Sequence, residues 1–209
     1  MENKIVIFDL DGTLYKTEKT SVPALKKAFS KFDIDLSERK ILGQFGEPTE
    51  VIIENLTPED KLGLKDEIRE EIVRNEREMI SSEATLYNGT KEMLEELEGE
   101  GYELAICSNG REDYILEVLR ATSMEDKFSS IKSYKDDRSK ADLIEELMNE
   151  FSTDYGIMIG DRYHDIEAAK TVGIPNIGAR YGYGGKEMEE ADLVVSDPKD
   201  IPSLIQKIF

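Results

Sequence analysis

Apolar residues recur along this chain in two rhythms. KIVIFDL (4–10) is a short run rich in β-branched residues and reads as a buried strand. From about residue 15 to residue 85 the spacing turns helical. SVPALKKAFSKF carries apolar positions at helical intervals, with Ser21 as a candidate N-cap and Pro23 in the first turn. TPEDKLGLKDEIREEIVRNEREMI opens with Thr57 as the expected cap and Pro58 at the first helical position, with acids behind it. No convincing strand interrupts this section. After residue 86 strand and helix alternate. NGTKEMLEELEGEG predicts a helix closed by Gly99 or Gly101, YELAICSN (102–109) a strand, REDYILEVLRAT a helix and SSIKSY a short strand. SKADLIEELMNEF predicts a capped amphipathic helix, YGIMIGD (155–161) a strand, RYHDIEAAKTVG a helix, IPNIGAR and DLVVSD two strands, and DIPSLIQKIF a closing helix. This alternation predicts an α/β fold, a parallel sheet with helices on both faces. The expected division is a core of residues 1–15 and 86–209, interrupted by a helical insert over 16–85.

Composition narrows the function without naming it. The 209 residues are 39% hydrophobic and 35% charged, with a formal charge of −19. Such acidity argues against nucleic acid and anionic lipid, which demand clustered Lys and Arg. It is concentrated in the expected core, and the insert is closer to neutral. No stretch approaches the roughly 18 apolar residues of a membrane span. MENKIVIFDL has no signal-peptide layout. One cysteine, Cys107, suits a reducing compartment, so a cytoplasmic location is expected. No heptad run demands a partner, which predicts a monomer or a weak homodimer.

Candidate chemistry gathers where strands end. In an open parallel sheet ligands sit beyond the carboxyl ends of the strands. One predicted strand ends in Asp9-Leu10-Asp11-Gly12-Thr13, another in Ser108-Asn109-Gly110, and a third in Gly160-Asp161, with Asp165 one helical turn on. Acids that converge in this way suit a hard divalent cation with oxygen ligands, above all Mg²⁺. A cation lets several carboxylates stay ionised together and lets an acidic protein accept an anionic substrate.

These motifs, D-x-D-G-T-L, S-N-G, a lysine that opens a later helix, and G-D-x-x-x-D, resemble the haloacid dehalogenase superfamily, in order and over essentially the whole chain. The insert resembles the small helical cap of its phosphoglycolate phosphatase and β-phosphoglucomutase branch. The resemblance implies a Rossmann-like core and a Mg²⁺-dependent phosphatase for a small phosphorylated metabolite such as phosphoglycolate. It implies Asp9 as a nucleophile forming an aspartyl-phosphate, Asp11 as general acid and base, and Ser108, with Asn109 and Gly110, as phosphoryl contacts. Asp9, Asp11 (through its backbone carbonyl), Asp161 and Asp165 would hold the metal. Both acids of D-x-D point one way from extended backbone.

The usual motif-three Lys-Pro pair is missing, and Lys132, Lys135 and Lys140 compete in IKSYKDDRSKADLI. Lys140 is preferred because it opens a helix, where a phosphate is well placed. The second acid, Asp11, argues against the dehalogenase and P-type ATPase branches. ILGQFGEP (41–48) resembles the cap's substrate loop, so Gly43, Gly46 and Glu47 are candidate substrate contacts, and Tyr15, Lys16 and Thr17 form the hinge. A sugar-phosphate mutase, a 5′-nucleotidase, a pyrophosphatase and a catalytically silent metabolite-binding protein stay open as alternatives.

Other motifs are set aside. A thiol phosphatase would want arginine six positions after Cys107, where Asp113 stands, so Cys107 reads as a buried strand residue. YGYGGKE (181–187) fails as a P-loop and resembles a glycine-rich loop at the rim of the site. His164 lacks partners for zinc and reads as a helix-surface residue near the acids. The acid-rich helix from Lys65 to Glu78 reads as a solvated face.

Overall fold

The computed structural model describes residues 3–135 and 138–209. Met1 and Glu2 of the opening stretch, and Asp136 and Asp137 between the competing lysines, lie outside the described residues. The chain begins with β1 (Lys4–Phe8), followed by four helices: α1 (Ser21–Ser30), α2 (Glu38–Leu42), α3 (Thr49–Leu56) and α4 (Lys65–Glu83). Then come α5 (Thr90–Gly99), β2 (Glu103–Ser108), α6 (Glu112–Thr122), β3 (Ser130–Ser133) and α7 (Lys140–Glu150). The chain closes with β4 (Tyr155–Gly160), α8 (Tyr163–Val172), β5 (Asn176–Ala179), β6 (Leu193–Val195) and α9 (Ile201–Ile205).

The strands form one sheet in the order β3-β2-β1-β4-β5-β6, with every pairing parallel. Because side chains alternate along a strand, β1 feeds two cores. Val6 and Phe8 pack with Leu94 and Leu97 of α5, Ile115 and Leu119 of α6, and Ile201 of α9. Ile5 and Ile7 pack on the other face with Leu143 and Leu147 of α7 and Ala169 of α8. This double burial explains why β1, β2 and β4 read as nearly continuous apolar runs. A third cluster, including Leu25, Phe29, Ile53, Ile68 and Ile72, lies within the helical segment α1–α4. Among the described residues no helix is long and apolar enough to cross a membrane.

Several boundaries differ from the sequence reading. β1 stops at Phe8, so Asp9 and Leu10 lie just past the strand, with the Asp9 amide still donating to the Ile159 carbonyl at 2.8 Å. Ser21 is already helical, and no side chain caps α1. Thr57 does not cap the next helix, since its hydroxyl donates back to the Ile53 carbonyl at 2.6 Å. The chain then takes a 3-10 turn over Glu59–Leu64 before α4 begins at Lys65. The closing helix α9 is also shorter than DIPSLIQKIF suggested.

Ile157, fully buried in β4 within the larger core, tests this packing. Ile157→Ala should lower the unfolding free energy by about 2–5 kcal/mol through lost burial and a residual cavity. Urea unfolding with an unchanged slope reads this directly, and a loss under about 1 kcal/mol would contradict the close packing assigned to the strand.

Candidate active site

β2, β1 and β4 are neighbours in the sheet, so their carboxyl ends place Ser108, Asp9 and Asp161 side by side. β2 and β3 extend the sheet on one side of β1 and β4 to β6 on the other, so the strand order reverses at β1 and opens a crevice there. Asp9 is buried, and its Oδ1 accepts a hydrogen bond from Lys140 Nζ at 2.7 Å. The same ammonium bonds Asp165 Oδ1. Lys140 is the first residue of α7, and a capping box fixes it there. The Asp142 amide donates to Ser139 Oγ at 3.2 Å, and the Ser139 amide donates to Asp142 Oδ2 at 2.8 Å. Lys132 instead pairs with Glu146 and Glu150, at 2.7 and 2.8 Å, and Lys135 is exposed.

Asp161 is enclosed. The Tyr183 amide donates to its Oδ2 at 2.6 Å, whereas its buried Oδ1 has no hydrogen-bond partner. The glycines of YGYGGKE explain the fit, because a Cβ on Gly182 or Gly184 would run into Asp161. Gly12, at φ +84°, presses on the same carboxylate and could carry no side chain. Asp165 closes the cluster, with its Oδ2 accepting from the Arg162 amide at 2.9 Å. Oxygens of Asp9, Asp161 and Asp165 lie within 4.8 Å of one another. Three carboxylates thus face one ammonium, and one buried oxygen lacks a donor. That all-oxygen, net-negative set fits a hard divalent cation.

Asp11 stands apart from this cluster. Its Oδ1 accepts from Thr17 Oγ1 at 2.6 Å, in the helical segment, and from the Tyr114 hydroxyl of α6 at 2.7 Å. Ser108 Oγ accepts from the Gly110 amide at 3.0 Å and keeps its own proton for another acceptor. Asp9, Asp11, Ser108, Asn109 and Gly110 line one cavity with Thr17, Leu25, Phe45, Gly46, Glu47, Ile52 and Glu76.

The candidate substrate contacts are mostly engaged across the cleft. Asn109 Nδ2 donates one hydrogen to the Gly46 carbonyl at 2.8 Å, tying it to the helical segment. Glu47 lines the cavity, yet its Oε1 lies 3.0 Å from Nε2 of His164. His164 therefore contacts the 41–48 loop and is not a plain surface residue. The 65–78 helix is likewise not wholly solvated. Glu76 is buried, its Oε2 accepting from Arg111 at 3.3 Å. Arg111 NH1 also reaches Thr49 Oγ1 at 3.4 Å. Sequence reasoning missed Glu76, Arg111 and Tyr114. Nothing in an acid-rich helix marks which glutamate turns inward, and Tyr114 looks like one more apolar-face position of α6.

Burial sets the electrostatics. It pushes the Asp9 carboxyl up to about 7, against the pull of Lys140 and with help from Asp165 and Asp11. Burial likewise raises Asp11, opposed by the two hydroxyl donors, and holds Asp161 well above the carboxylate range. Burial alone would lower Lys140, but Asp165 and Asp9 outweigh it and keep the ammonium charged. The Cys107 thiol is pushed up to about 12 by burial, which leaves it inert.

The haloacid dehalogenase-like hydrolase family model matches residues 6–179, and the chain belongs to that family. It is 26% identical to pyrophosphatase PpaX of Listeria monocytogenes serotype 4b (strain CLIP80459), over 96% of this chain and 95% of that protein. It is 27% identical to a phosphoglycolate phosphatase of Agrobacterium fabrum, over 98% of this chain and 93% of that protein. The crystal structure of a predicted phosphoglycolate phosphatase from Haemophilus somnus 129pt superposes with a TM-score of 0.88 at 22% identity, covering 98% of each chain. The fold is shared from end to end.

Glu76 yields a pH test. Burial raises its carboxyl to about 7 from an ordinary 4.5, against the pull of Arg111. Between those values the folded state holds a proton that the unfolded chain has lost, so stability falls as pH rises through the window. Glu76→Gln removes that dependence. Its stability relative to the parent should improve by on the order of 2–3 kcal/mol from pH 4.5 to 8. Paired urea titrations at the two pH values check this, and a pH-independent difference would refute it.

Proposed function

We propose that this haloacid dehalogenase-like hydrolase is a Mg²⁺-dependent phosphatase that cleaves the phosphate monoester of a small metabolite through an aspartyl-phosphate on Asp9. The observation that carries the reading is Lys140, buried with Asp9 Oδ1 2.7 Å from its Nζ and with Asp165 as its second partner, beside the unpartnered oxygen of Asp161. One oxygen of the nucleophile is held, and the other stays available for attack. The carboxylates of Asp9, Asp161 and Asp165 would hold the cation, and the family resemblance adds the backbone carbonyl of Asp11. When bound, the cation neutralises phosphate charge and lowers the barrier to attack by an anion.

The chemistry divides between the two acids of D-x-D. Asp9 attacks phosphorus, the P–O bond to the alcohol breaks, and Asp11 gives its proton to the departing oxygen. Burial favours the protonated form of Asp11 that this step needs. Water then attacks the phosphorus of the aspartyl-phosphate and gives a proton to Asp11. The bond to Asp9 breaks, inorganic phosphate leaves, and both acids regain their starting states. Ser108 donates its hydroxyl proton to a phosphoryl oxygen, and Lys140 offsets charge as the phosphoryl group moves.

Residues 16–85 would act as a cap over a core of residues 1–15 and 86–209. The Asn109–Gly46, His164–Glu47 and Arg111–Glu76 contacts span that division and must part when the cap opens.

With p-nitrophenyl phosphate, Mg²⁺ should support turnover, EDTA should abolish it, and Asp9→Asn should lower kcat by about a thousandfold or more with an unchanged circular dichroism spectrum. Substantial turnover by Asp9→Asn would sink the aspartyl-phosphate route, and no turnover with any divalent metal would favour a silent binding protein. Tyr114→Phe tests the setting of Asp11. Loss of that donor should raise the Asp11 carboxyl further, lower kcat by about tenfold and move the kcat–pH profile upward. An unmoved profile would leave Tyr114 with a packing role alone.

A further inference from the structure

The phosphoryl group is met at the strand ends, so the alcohol it leaves behind must face the opposite wall of the same cavity. That wall is made of Leu25, Phe45, Ile52 and Thr49, with the carboxylates of Glu47 and Glu76. Asp9 and Asp11 bring two more acids from the floor, and among the described residues no lysine or arginine lines the space. The nearby cations are already committed. Lys140 is locked beneath Asp9 and Asp165. Arg111 is shared between Glu76 at 3.3 Å and Asp113 at 3.2 Å, so its charge is already committed. His164 sits 3.0 Å from Glu47.

Resting on the phosphatase reading above, we propose that the substrate is the phosphate monoester of an uncharged alcohol, and that the cavity wall rejects esters carrying a second anion. The phosphoryl charge has Lys140 and the candidate cation site at its end of the cavity. A carboxylate or second phosphate a few ångströms further on would enter a poorly solvated wall with acids and no free cation. Like charges in such a setting repel strongly, and the unpaired group loses its hydration as well. A hydroxyl in the same place donates to Glu76 or Glu47, and Leu25, Phe45 and Ile52 take the carbon atoms. Discrimination of this kind comes from the repulsive element as much as from the attractive ones. It separates this chain from the two relatives named above, because pyrophosphate and phosphoglycolate each carry that second anion.

A matched pair of esters tests the idea. 2-Hydroxyethyl phosphate and 2-phosphoglycolate have nearly the same size and differ in one charge. With Mg²⁺, kcat/KM for the hydroxyethyl ester should exceed that for phosphoglycolate by at least about tenfold, a difference of roughly 1.4 kcal/mol. Glu76→Gln frees Arg111 from its partner and should narrow the ratio at least about threefold. Glu47→Gln provides a second narrowing variant if the first fails to fold. Phosphoglycolate turned over as well as the hydroxyethyl ester, or better, would overturn the proposal and leave the phosphatase reading standing. An unchanged ratio in both variants would overturn the role given to these acids. Turnover of neither ester, nor of p-nitrophenyl phosphate, would instead overturn the phosphatase reading on which the proposal rests.

Discussion

A buried ammonium cannot stand alone, and the arrangement around Lys140 follows from that constraint. Removing an ion from water costs several kcal/mol, which is recovered only by close partners with good geometry. Asp9 supplies one partner from the end of β1 and Asp165 the other from the first turn of α8. Two distant parts of the chain are thereby tied to the start of α7, which the Ser139–Asp142 box holds in place. Asp161 then has no ammonium of its own. It is held by the Tyr183 amide and by glycine backbone so close that no side chain would fit. The surplus negative charge is a property of the cluster as a whole, and it is what recommends a divalent cation as the missing partner.

The helical segment meets this cluster through polar contacts at its rim. Asn109 and His164 reach across to Gly46 and Glu47, and the Tyr183 hydroxyl accepts from the Glu18 amide at 3.0 Å. Partly exposed hydrogen bonds of this kind contribute little each, and the Phe45 ring adds an edge contact with Tyr183, centroids 4.9 Å apart. The apolar cluster of α1–α4 packs that segment on itself. Asn109 and Glu47, read from sequence as substrate contacts, here make contacts with Gly46 and His164 instead. A substrate would have to compete for them or leave them in place.

How much of this was legible depended on what each feature requires of the sequence. β1, β2 and β4 are buried on both faces and nearly apolar throughout, so they were readable, whereas the half-buried edge strand β3 (Ser-Ile-Lys-Ser) offered only a short run; strand ends drifted. The acids at strand ends were readable because carboxylates just past an apolar run have few structural reasons to be there. Lys140 was readable through its helix start, and the structure does bring it, rather than Lys132 or Lys135, to Asp9. Thr57 misled because a hydroxyl before proline suits the end of one helix as well as the start of the next. Glu76 was opaque for a related reason. Along α4 acids and bases alternate around the whole helix, so no polar face stands out, and only the packing of α1 and α6 against it decides that Glu76, like Glu71, is buried.

That inward glutamate ties the electrostatics of the two parts together. The floor of the cavity has more acid than base, and a divalent cation held by Asp9, Asp161 and Asp165 would offset that surplus. The wall above it has no such remedy, because Arg111 is already shared between Glu76 and Asp113. A second cation would need a ligand set of its own, and the acids of the wall are dispersed among Leu25, Phe45 and Ile52 rather than gathered. On the phosphatase reading, the phosphate would be recognised by charge and the alcohol by shape and hydrogen bonding. An anionic alcohol would ask the wall to supply what only the floor contains.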